Sequence, residues 1–278
     1  MKYADLHAHT FYSDSTFSPV EVVSYARKKG LAAVAICDHD SVDGIGPAED
    51  AGADLGVEVI ASVELTVENP NTEIHILGYF IDWRQGWFRK KLEEIRQFRV
   101  DRIYKMVKKL NDVNIGIEAL DVLSLAGRGA VGRPHLARAM VNAGHVKDMK
   151  EAFAKYIGFG LQCYVPKMKL SDKETIDMIL KAGGVPVLAH SNLMGDDGLI
   201  PPLVACGLRG IEVYHTEHSA SMVRHYEALA KVYGLLITGG SDCHGMNKAR
   251  PLLGTVRVPY ILVERLKEES ERIRRDCR

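Results

Sequence analysis

Short apolar runs alternate with helical stretches in the first and last parts of this chain, and this alternation constrains the fold more than any other feature. The runs that we predict as strands are Tyr3–His7, Leu31–Cys37, Val57–Leu65, Glu73–Phe80, Val185–His190, Ile211–His215 and Leu235–Gly239. Repeated alternation of strands and helices is typical of a mainly parallel sheet with helices packed around it. The pattern allows either a closed barrel or an open sheet.

Capping signals and apolar periodicity predict the helices between these strands. Ser18, Pro19 and Glu21 mark a helix start, with serine as the N-cap, proline at the first position and glutamate completing a capping box. Further helices are predicted at Pro47–Leu55, Ser171–Ala182 and Ala220–Tyr233. We expect the charged C-terminal run, Glu264–Arg278, to be a solvated helix or tail.

The middle of the chain has a different pattern, without a strand-like run. A long amphipathic helix is predicted through Leu92, Ile103 and Leu110. Shorter helices are predicted near Glu118–Ala126, Pro134–Ala143 and Lys147–Tyr156. We therefore predict a helical insertion domain at 93–162, which interrupts a strand-and-helix domain made of 1–92 and 163–278.

Composition excludes several classes of protein. The chain has 36 Lys and Arg against 36 Asp and Glu, with 46% hydrophobic residues, which is ordinary for a globular domain and not for a disordered one. The polar start lacks the apolar core of a signal peptide, and the five cysteines form no CxxC pair. We expect a cytoplasmic protein with reduced thiols, no membrane partner and no obligate protein partner.

Histidines and carboxylates concentrate where the predicted strands end. We assign twelve of them to the carboxyl ends of the strands: Asp5, His7, His9, Asp38, His39, Asp40, Glu64, His75, His190, His215, Asp242 and His244. In a β/α barrel this end carries the chemistry. Since buried polar groups are costly without partners, so many histidines placed together predict a metal site.

The donor types and spacing describe this metal site further. His7 and His9 are two residues apart, so on an extended segment both imidazoles face one way. Nitrogen and oxygen donors favour manganese, iron or zinc over a thiolate-bound ion, and they do not choose among the three. The candidate ligands are too many for one ion and suit two or three.

In the segments that carry these residues, the chain resembles the PHP (polymerase and histidinol phosphatase) superfamily of phosphoesterases. The matching segments are Asp5-Leu-His-Ala-His-Thr10, Ser13-Asp14, Cys37-Asp-His-Asp-Ser41, Val63-Glu64, Glu73-Ile-His-Ile-Leu-Gly78, Ala189-His190 and Gly239-Gly-Ser-Asp-Cys-His-Gly245. The segments Gly132-Arg-Pro-His-Leu-Ala-Arg138 and Gly210-Ile-Glu-Val-Tyr-His215 are similar to the bacterial branch that acts on nucleotides. That branch removes the 3′-phosphate from 3′,5′-bisphosphonucleotides and trims RNA from its 5′ end.

The resemblance implies a fold and a set of metal ligands. The fold would be a distorted (β/α)7 TIM-like barrel with an inserted small helical domain. One ion would lie on His7, His9, Glu64 and Asp242, and a second on Asp14, His39 and His244, with Glu64 bridging the two. A third would use His75 and His190, again near Glu64. Manganese is the ion expected first, with iron or zinc as alternatives.

Charge and geometry then suggest a mechanism. Two or three divalent ions outweigh the ligand carboxylates, so the site should prefer an anionic phosphate ester. A metal-bridging hydroxide would be the nucleophile, and the ions would stabilise the charge of the transition state. Asp242 is a candidate proton acceptor, and a nearby histidine would protonate the leaving group.

Substrate contacts are predicted outside the ligand set. Arg133 and His215 are the catalytic candidates beside Asp242, and both are also predicted to bind substrate. His218, like His215, is predicted to bind phosphate or to donate a proton, and the weaker candidates for substrate binding are Lys167, Ser191 and Asn192. Relatives often have proline where this chain has Ser191 and Thr216, so we expect these positions to influence leaving-group preference. We predict structural roles for His135, His145 and His225, and orienting roles for Asp5, Asp38 and Asp40.

Three alternatives stay open beside a nucleotide phosphoesterase. A histidinol-phosphate phosphatase shares the chemistry, but the Gly132–His135 segment and the helical insertion argue against it. A non-catalytic PHP module is disfavoured because every ligand position is filled. An amidohydrolase on a related barrel would commonly use a carbamylated lysine at a strand end, and we find no lysine so placed.

Overall fold

The computed structural model of the chain describes residues 1–69, 72–127, 129–166, 170–193, 195–247 and 249–276. Its residues divide into two compact units. One unit comprises Met1–Lys90 with Leu170–Arg278, and the other comprises Lys91–Lys169.

Eight strands form one sheet. They are β1 (Tyr3–Ala8), β2 (Ala33–Ile36), β3 (Glu58–Asn69), β4 (Thr72–Tyr79), β5 (Val185–Leu188), β6 (Gly210–His215), β7 (Leu236–Gly240) and β8 (Val258–Pro259). Their order is β7-β6-β5-β4-β3-β2-β1-β8. The β1–β2, β2–β3, β5–β6 and β6–β7 pairs are parallel, whereas β4 runs antiparallel to both neighbours and β8 runs antiparallel to β1.

The sheet is nearly closed into a barrel. At its amino end β1 pairs with β8, where Tyr3 lies opposite Pro259. Further along, Ala8 pairs with Cys243, and the backbone N–H of His9 donates to the carbonyl oxygen of Cys243 at 3.0 Å. The segment after β7 therefore meets β1 directly. The predicted distorted α/β barrel is confirmed.

Ten α-helices occur in the described part of the chain. They are α1 (Pro19–Lys28), α2 (Ile45–Leu55), α3 (Gly86–Asn111), α4 (Ala119–Ala126), α5 (Arg133–Asn142), α6 (Met149–Ala152), α7 (Asp172–Lys181), α8 (Ile200–Ala205), α9 (Ala220–Tyr233) and α10 (Ile261–Asp276). Helix α1 begins as its sequence predicts, because Ser18 caps it and Glu21 bonds back to the backbone of Ser18. No helix among the described residues is long and apolar enough to cross a membrane.

The core of the barrel unit is formed by inward-facing strand residues. Leu6, Ile60 and Leu77 are fully or almost fully buried there. Tyr79 is also buried, and its hydroxyl donates to the carbonyl oxygen of Leu6 at 2.8 Å, which satisfies the polar end of the ring. The apolar alternation of the strands therefore fills the barrel with packed side chains.

The second unit has a core of its own. Met106 and Leu110 of α3 are fully buried together with Val122 of α4 and Leu136 and Met140 of α5. A single π-helical turn, Phe153–Ile157, follows α6. No strand occurs among the described residues of this unit.

The C-terminal segment was expected to be a solvated helix or tail, and it is a helix with one buried face. It is a helix, α10, which begins at Ile261, and it buries Val263, Leu266 and Ile273. The Ser270 hydroxyl of this helix donates to the carbonyl oxygen of Gly183 at 2.7 Å. The high charge of Glu264–Arg278 concealed an apolar stripe at helical spacing, which packs the helix onto the barrel.

Closure of the barrel predicts an effect of one glycine on stability. A Cβ at Gly240 would overlap the backbone nitrogen and Cβ of His7, whereas a Cβ at Gly86 would meet no heavy atom within 4 Å. We expect Gly240→Ala to lower the free energy of unfolding by about 1–3 kcal/mol. Gly86→Ala is the matched control and should change it by less than about 1 kcal/mol. Urea denaturation measures both, and equal stabilities would contradict the close approach of β7 to β1.

Candidate metal centre

The strand-end residues meet at one edge of the barrel. His7 lies near the end of β1, His9 follows that strand, and His39 follows β2 and pairs with Glu64 of β3. His75 needs a correction, since it lies in the first half of β4 and not at the carboxyl end of a strand. Because β4 is antiparallel to β3, its amino half reaches the edge where the parallel strands have their carboxyl ends.

Two of the candidate ligands have a left-handed backbone. His190 has a φ of 35° and Asp242 a φ of 50°, and each follows the end of a parallel strand by two residues. A non-glycine residue in this region costs of order 1–3 kcal/mol, and such strain is typical of functional sites. The unfavourable backbone of these two candidate ligands therefore supports a functional role for this edge of the barrel.

The first cluster contains His7, His9 and Asp242. Nε2 of His9 lies 3.1 Å from Oδ1 of Asp242 and 3.2 Å from Oε2 of Glu64. Nε2 of His7 lies 3.3 Å from the same oxygen of Glu64 and 3.5 Å from Oδ1 of Asp242. Two imidazole nitrogens thus face two carboxylate oxygens.

The second cluster contains His9, Asp14, His39 and His244. Asp14 is at its centre, since Oδ1 lies 3.2 Å from Nε2 of His244 and Oδ2 lies 3.8 Å from Nε2 of His39. His9 belongs to both clusters because its Nδ1 lies 3.7 Å from Oδ1 of Asp14.

The third cluster contains His39, Glu64 and His75, and His190 lies beside it. Oε1 of Glu64 lies 2.7 Å from Nδ1 of His75 and 3.0 Å from Nε2 of His190. Oε2 of Glu64 lies 3.4 Å from Nδ1 of His39. With one oxygen toward His75 and His190 and the other toward His7, His9 and His39, Glu64 is shared by all the imidazoles around it.

The donor atoms fit divalent cations. Nε2 of His9, Nδ1 of His39 and Oδ1 of Asp14 are buried and make no hydrogen bond. Buried polar atoms without such partners are rare in folded proteins, and here each faces a carboxylate oxygen or an imidazole nitrogen of the same cluster. Imidazole nitrogens and carboxylate oxygens are suitable ligands for manganese, iron or zinc.

The electrostatics of the cluster are those of closely opposed charges. Burial alone lowers the pKa of His9 and of His244, but neighbouring carboxylates, including Asp14 and Asp242, raise these pKa values to about 9 and about 10. Burial raises the pKa of the Glu64 carboxyl, but His39, His75 and His7 outweigh it and hold this pKa well below its usual range. Burial lowers the pKa of His39 to about 3. The cluster thus holds ionised carboxylates that attract positive charge.

Three acidic residues that were predicted to orient histidines make mostly backbone and hydroxyl contacts. Asp5 accepts from the backbone N–H groups of His7, Ser241 and Gly254, at 3.3, 2.9 and 2.7 Å. Asp38 accepts from the Thr10 N–H and from the hydroxyls of Thr10 and Ser13, each at 2.7 Å. The backbone N–H of Asp40 donates to the carbonyl oxygen of Glu64 at 3.0 Å. These contacts fix the loops that carry the candidate ligands.

Glu212 of β6 was missed by the sequence reasoning. It is fully buried, and its carboxylate accepts from Nδ1 of His7 at 3.1 Å and from the backbone N–H of His190 at 3.1 Å. The signal that could have found it is a single acidic residue among apolar neighbours in Gly210–His215, where an unpaired buried charge is costly.

The predicted catalytic residue His215 lies beside the first cluster. Its Nδ1 accepts from the backbone N–H of Glu217 at 3.3 Å, so a neutral ring carries its proton on Nε2. Nε2 is buried without a hydrogen bond and lies 3.7 Å from Oδ2 of Asp242. The structure thus brings His215 and Asp242 together, with a ring nitrogen available for proton transfer.

The predicted substrate-binding residues near His190 form a separate contact. Ser191 and Asn192 lie in a short 3₁₀ turn that follows β5, and the Ser191 hydroxyl is buried without a hydrogen bond. His218 lies 2.9 Å from Oδ1 of Asn192 through Nε2 and 2.8 Å from the carbonyl oxygen of Val213 through Nδ1. Burial lowers the pKa of His218, which favours a neutral ring. A neutral ring carries one proton, so it can donate to only one of these two oxygens.

Other predicted residues lie in the helical unit or outside the described residues. The guanidinium of Arg133 stacks at 5.5 Å over the rings of Phe153 and of Tyr164. Nδ1 of His135 accepts from the backbone N–H of Gly132 at 3.2 Å at the start of α5. Lys167 lies outside the described residues.

Two histidines make local contacts elsewhere. Nε2 of His145 lies 2.9 Å from the carbonyl oxygen of Gly116. His225 is exposed and lies 2.6 Å from Oδ2 of Asp197.

Thr216, which was expected to influence leaving-group preference, donates through its hydroxyl to the carbonyl oxygen of Ser241 at 3.5 Å.

The raised pKa values of His9 and His244 predict that metal binding releases protons. In the chelator-treated protein both imidazoles should be protonated at neutral pH, because their pKa values are about 9 and about 10. An ion must displace these protons, so affinity should increase as the pH rises through the neutral range. Calorimetry in buffers of different ionisation enthalpy measures the protons released. Uptake of protons, or no exchange, would contradict the proposed roles of both histidines.

Comparison with known proteins identifies a family and several similar chains. The PHP domain family model matches residues 5–156. The 3′,5′-nucleoside bisphosphate phosphatase of Chromobacterium violaceum is 32% identical over 246 residues, which cover 86% of each chain. The 5′-3′ exoribonuclease of Haemophilus influenzae is 32% identical over 246 residues, with 86% of this chain and 89% of the relative covered.

A solved structure has the same fold. It is that of a protein from Bifidobacterium adolescentis named as a metal-dependent phosphoesterase, with a TM-score of 0.83, 31% identity and 96% of each chain covered. The family match covers more than half of the chain, and the relatives are similar over most of their length. The resemblance inferred from the motifs is therefore confirmed, and the chain belongs to the PHP domain family.

Proposed function

We propose that this protein is a metal-dependent phosphoesterase that hydrolyses phosphate esters of nucleotides. The observation that carries the proposal is the position of the buried carboxylate of Glu64, whose two oxygens lie within 3.4 Å of five imidazoles. A bridging carboxylate with histidines on both sides is suited to holding more than one divalent ion. The relatives named as a bisphosphate phosphatase and an exoribonuclease support nucleotide esters as the substrate class.

The distances between the donor atoms support two or three ions. The first ion would be held by His7, His9, Glu64 and Asp242, and the second by Asp14, His39, His244 and the bridging Glu64. The third would be held by His75 and His190 beside Oε1 of Glu64. We propose manganese as the ion, with iron and zinc as alternatives.

The charge of such a site selects its ligand. The divalent ions would outweigh the carboxylates that hold them, so the cluster would attract the anionic phosphate group of a substrate. Bound ions supply an activated water as the nucleophile and neutralise the negative charge of the transition state. The chain's own task is to position these groups and to move protons.

Asp242 and His215 are suited to the proton transfers. Oδ1 of Asp242 faces His7 and His9, while Oδ2 faces Nε2 of His215 at 3.7 Å. The neutral tautomer of His215 presents a proton on Nε2, because Nδ1 accepts from Glu217. We propose that His215 donates this proton to the leaving oxygen, and that Asp242 accepts a proton from the attacking water.

The remaining substrate contacts are proposed with different roles. Ser191 has a buried hydroxyl available for a phosphate oxygen. Nε2 of His218 lies 2.9 Å from Oδ1 of Asn192, so we propose that His218 positions Asn192 for the substrate. Arg133 and Lys167 stay predicted as phosphate-binding residues, because guanidinium and ammonium groups are suited to that role.

Phosphate release from the metal-loaded protein tests the proposed activity. After loading with Mn²⁺ we expect turnover of 3′,5′-bisphosphoadenosine or 5′-AMP, or cleavage of a short 5′-phosphorylated RNA, in preference to histidinol phosphate. Preference among the nucleotide substrates separates a phosphatase from an exoribonuclease. A metal-loaded protein that turns over none of these compounds would contradict the proposal, and a clear preference for histidinol phosphate would replace it with the rival phosphatase.

Removal of the proton donor should slow catalysis without loss of metal. His215→Gln keeps an amide near the position of Nε2 but cannot give up a proton at neutral pH. We expect kcat to fall by roughly 10²–10⁴-fold, the range for loss of a general acid, with unchanged metal content. The matched control is His225→Gln, which alters an exposed histidine paired with Asp197. Equal kcat values for the two variants would contradict the role of His215.

A further inference from the structure

The strongest feature outside the proposed ligand set is the buried carboxylate of Glu212. We propose that Glu212 is a positioning residue shared by two metal sites, holding the ring of His7 for one ion and the backbone of His190 for another. This inference rests on the part of the proposed function that makes His7 and His190 metal ligands. Glu212 would then link the two sites in addition to the shared Glu64.

The first contact determines which nitrogen of His7 faces the cluster. Oε1 and Oε2 of Glu212 lie 3.1 and 3.3 Å from Nδ1 of His7. A carboxylate can only accept, so Nδ1 of His7 carries the proton and donates it. Nε2 is then free to bind an ion, and it lies beside Glu64 and Asp242 at 3.3 and 3.5 Å. Glu212 thus fixes both the orientation and the tautomer of His7.

The second contact determines the backbone of His190. Oε2 of Glu212 accepts from the backbone N–H of His190 at 3.1 Å. His190 has a left-handed backbone with a φ of 35°, which is unfavourable for a residue with a side chain. A charge-assisted hydrogen bond to this N–H stabilises the unfavourable conformation. That conformation directs Nε2 of His190 to Oε1 of Glu64, 3.0 Å away.

A local irregularity of β6 makes these contacts compatible with the position of His215. The pairing with β7 shifts between Glu212 and Tyr214, because Glu212 lies opposite Thr238 and Tyr214 already lies opposite Gly239. An extra residue in one strand changes which side chains face inward. Glu212 and His215 are three residues apart, yet both reach the histidine cluster.

The burial of Glu212 favours a positioning role over a role in packing alone. Its exposure is 0%, and a buried carboxylate is costly unless its hydrogen bonds are made. Its hydrogen bonds go to His7 in β1 and to His190 after β5, which belong to two different proposed ion sites. A hydrophobic residue would fill the same space at lower cost, so the charge is retained for these two contacts.

Metal affinity of a Glu212→Gln variant tests the proposal. The amide keeps the shape of the side chain, but in either orientation its NH₂ group lies beside a donor, which is the ring N–H of His7 or the backbone N–H of His190. We expect two ions to bind roughly 10–100-fold more weakly, as is typical when a partner of a ligand is lost, and the ion near Asp14 and His244 to keep its affinity. Zn²⁺ titration against a chromophoric chelator, with Mn²⁺ counted by mass spectrometry after gel filtration, measures this.

The control variant is Glu227→Gln. Glu227 lies in α9, and its carboxylate accepts from the hydroxyl of Tyr214 in β6 at 2.7 Å. The variant therefore removes one acidic charge next to β6 but outside the cluster. It should bind every ion as the unaltered protein does. Unchanged affinities in Glu212→Gln would overturn the proposal, even if its melting temperature fell, and weakening of one ion alone would overturn the shared role.

A measurement on the unaltered protein keeps the proposal testable if Glu212→Gln does not fold. In the Zn²⁺-loaded protein with ¹⁵N-labelled histidine, Nδ1 of His7 should carry a slowly exchanging proton, whereas a proton on Nε2 would overturn the proposal. His7→Asn assigns the resonance. These readouts are independent of turnover, so a protein that binds ions as described but releases no phosphate would contradict the proposed function and not this inference.

Discussion

The structure of the candidate site depends on one buried carboxylate, Glu64, surrounded by imidazoles. A fully buried anion is unfavourable in a protein interior unless positive charge or hydrogen bonds compensate it. Here the compensation comes from five histidines on different segments, so burial of Glu64 brings β1, β2, β4 and β5 together at one edge of the barrel. The same arrangement leaves buried nitrogens of His9 and His39 and a buried oxygen of Asp14 without hydrogen bonds, and divalent ions could bind these atoms.

The barrel supplies this arrangement through departures from regularity. β4 is antiparallel, which brings His75 to the edge formed by the carboxyl ends of its neighbours. β1 and β6 each contain a shift in pairing, and His190 and Asp242 each have a left-handed backbone. The left-handed conformations are unfavourable for stability, and each departure brings a side chain into the cluster. Stability has been exchanged for geometry at the positions that would hold ions.

Much of the fold and of the candidate site could be predicted from the sequence because local patterns carry it. The positions of β1 to β7 and of most helices follow from apolar periodicity, and His7 and His9 face one way because of the two-residue repeat of a strand. The short elements α8 and β8 were not predicted, and β3 extends beyond its predicted end to Asn69. The direction of β4 could not be predicted in this way, because it depends on pairing with β3 rather than on its own residues. Glu212 was missed because its partners, His7 and His190, are distant in sequence and meet it only when the barrel closes.

Anomalous diffraction from crystals of the Mn²⁺-loaded protein shows whether Glu64 is shared between divalent ions. We expect at least two manganese peaks, with one beside Oε2 of Glu64 among His7, His9 and His39, and one beside Oε1 near His75 and His190. A single peak away from Glu64, or no peak within bonding distance of either oxygen, would mean that Glu64 is not shared.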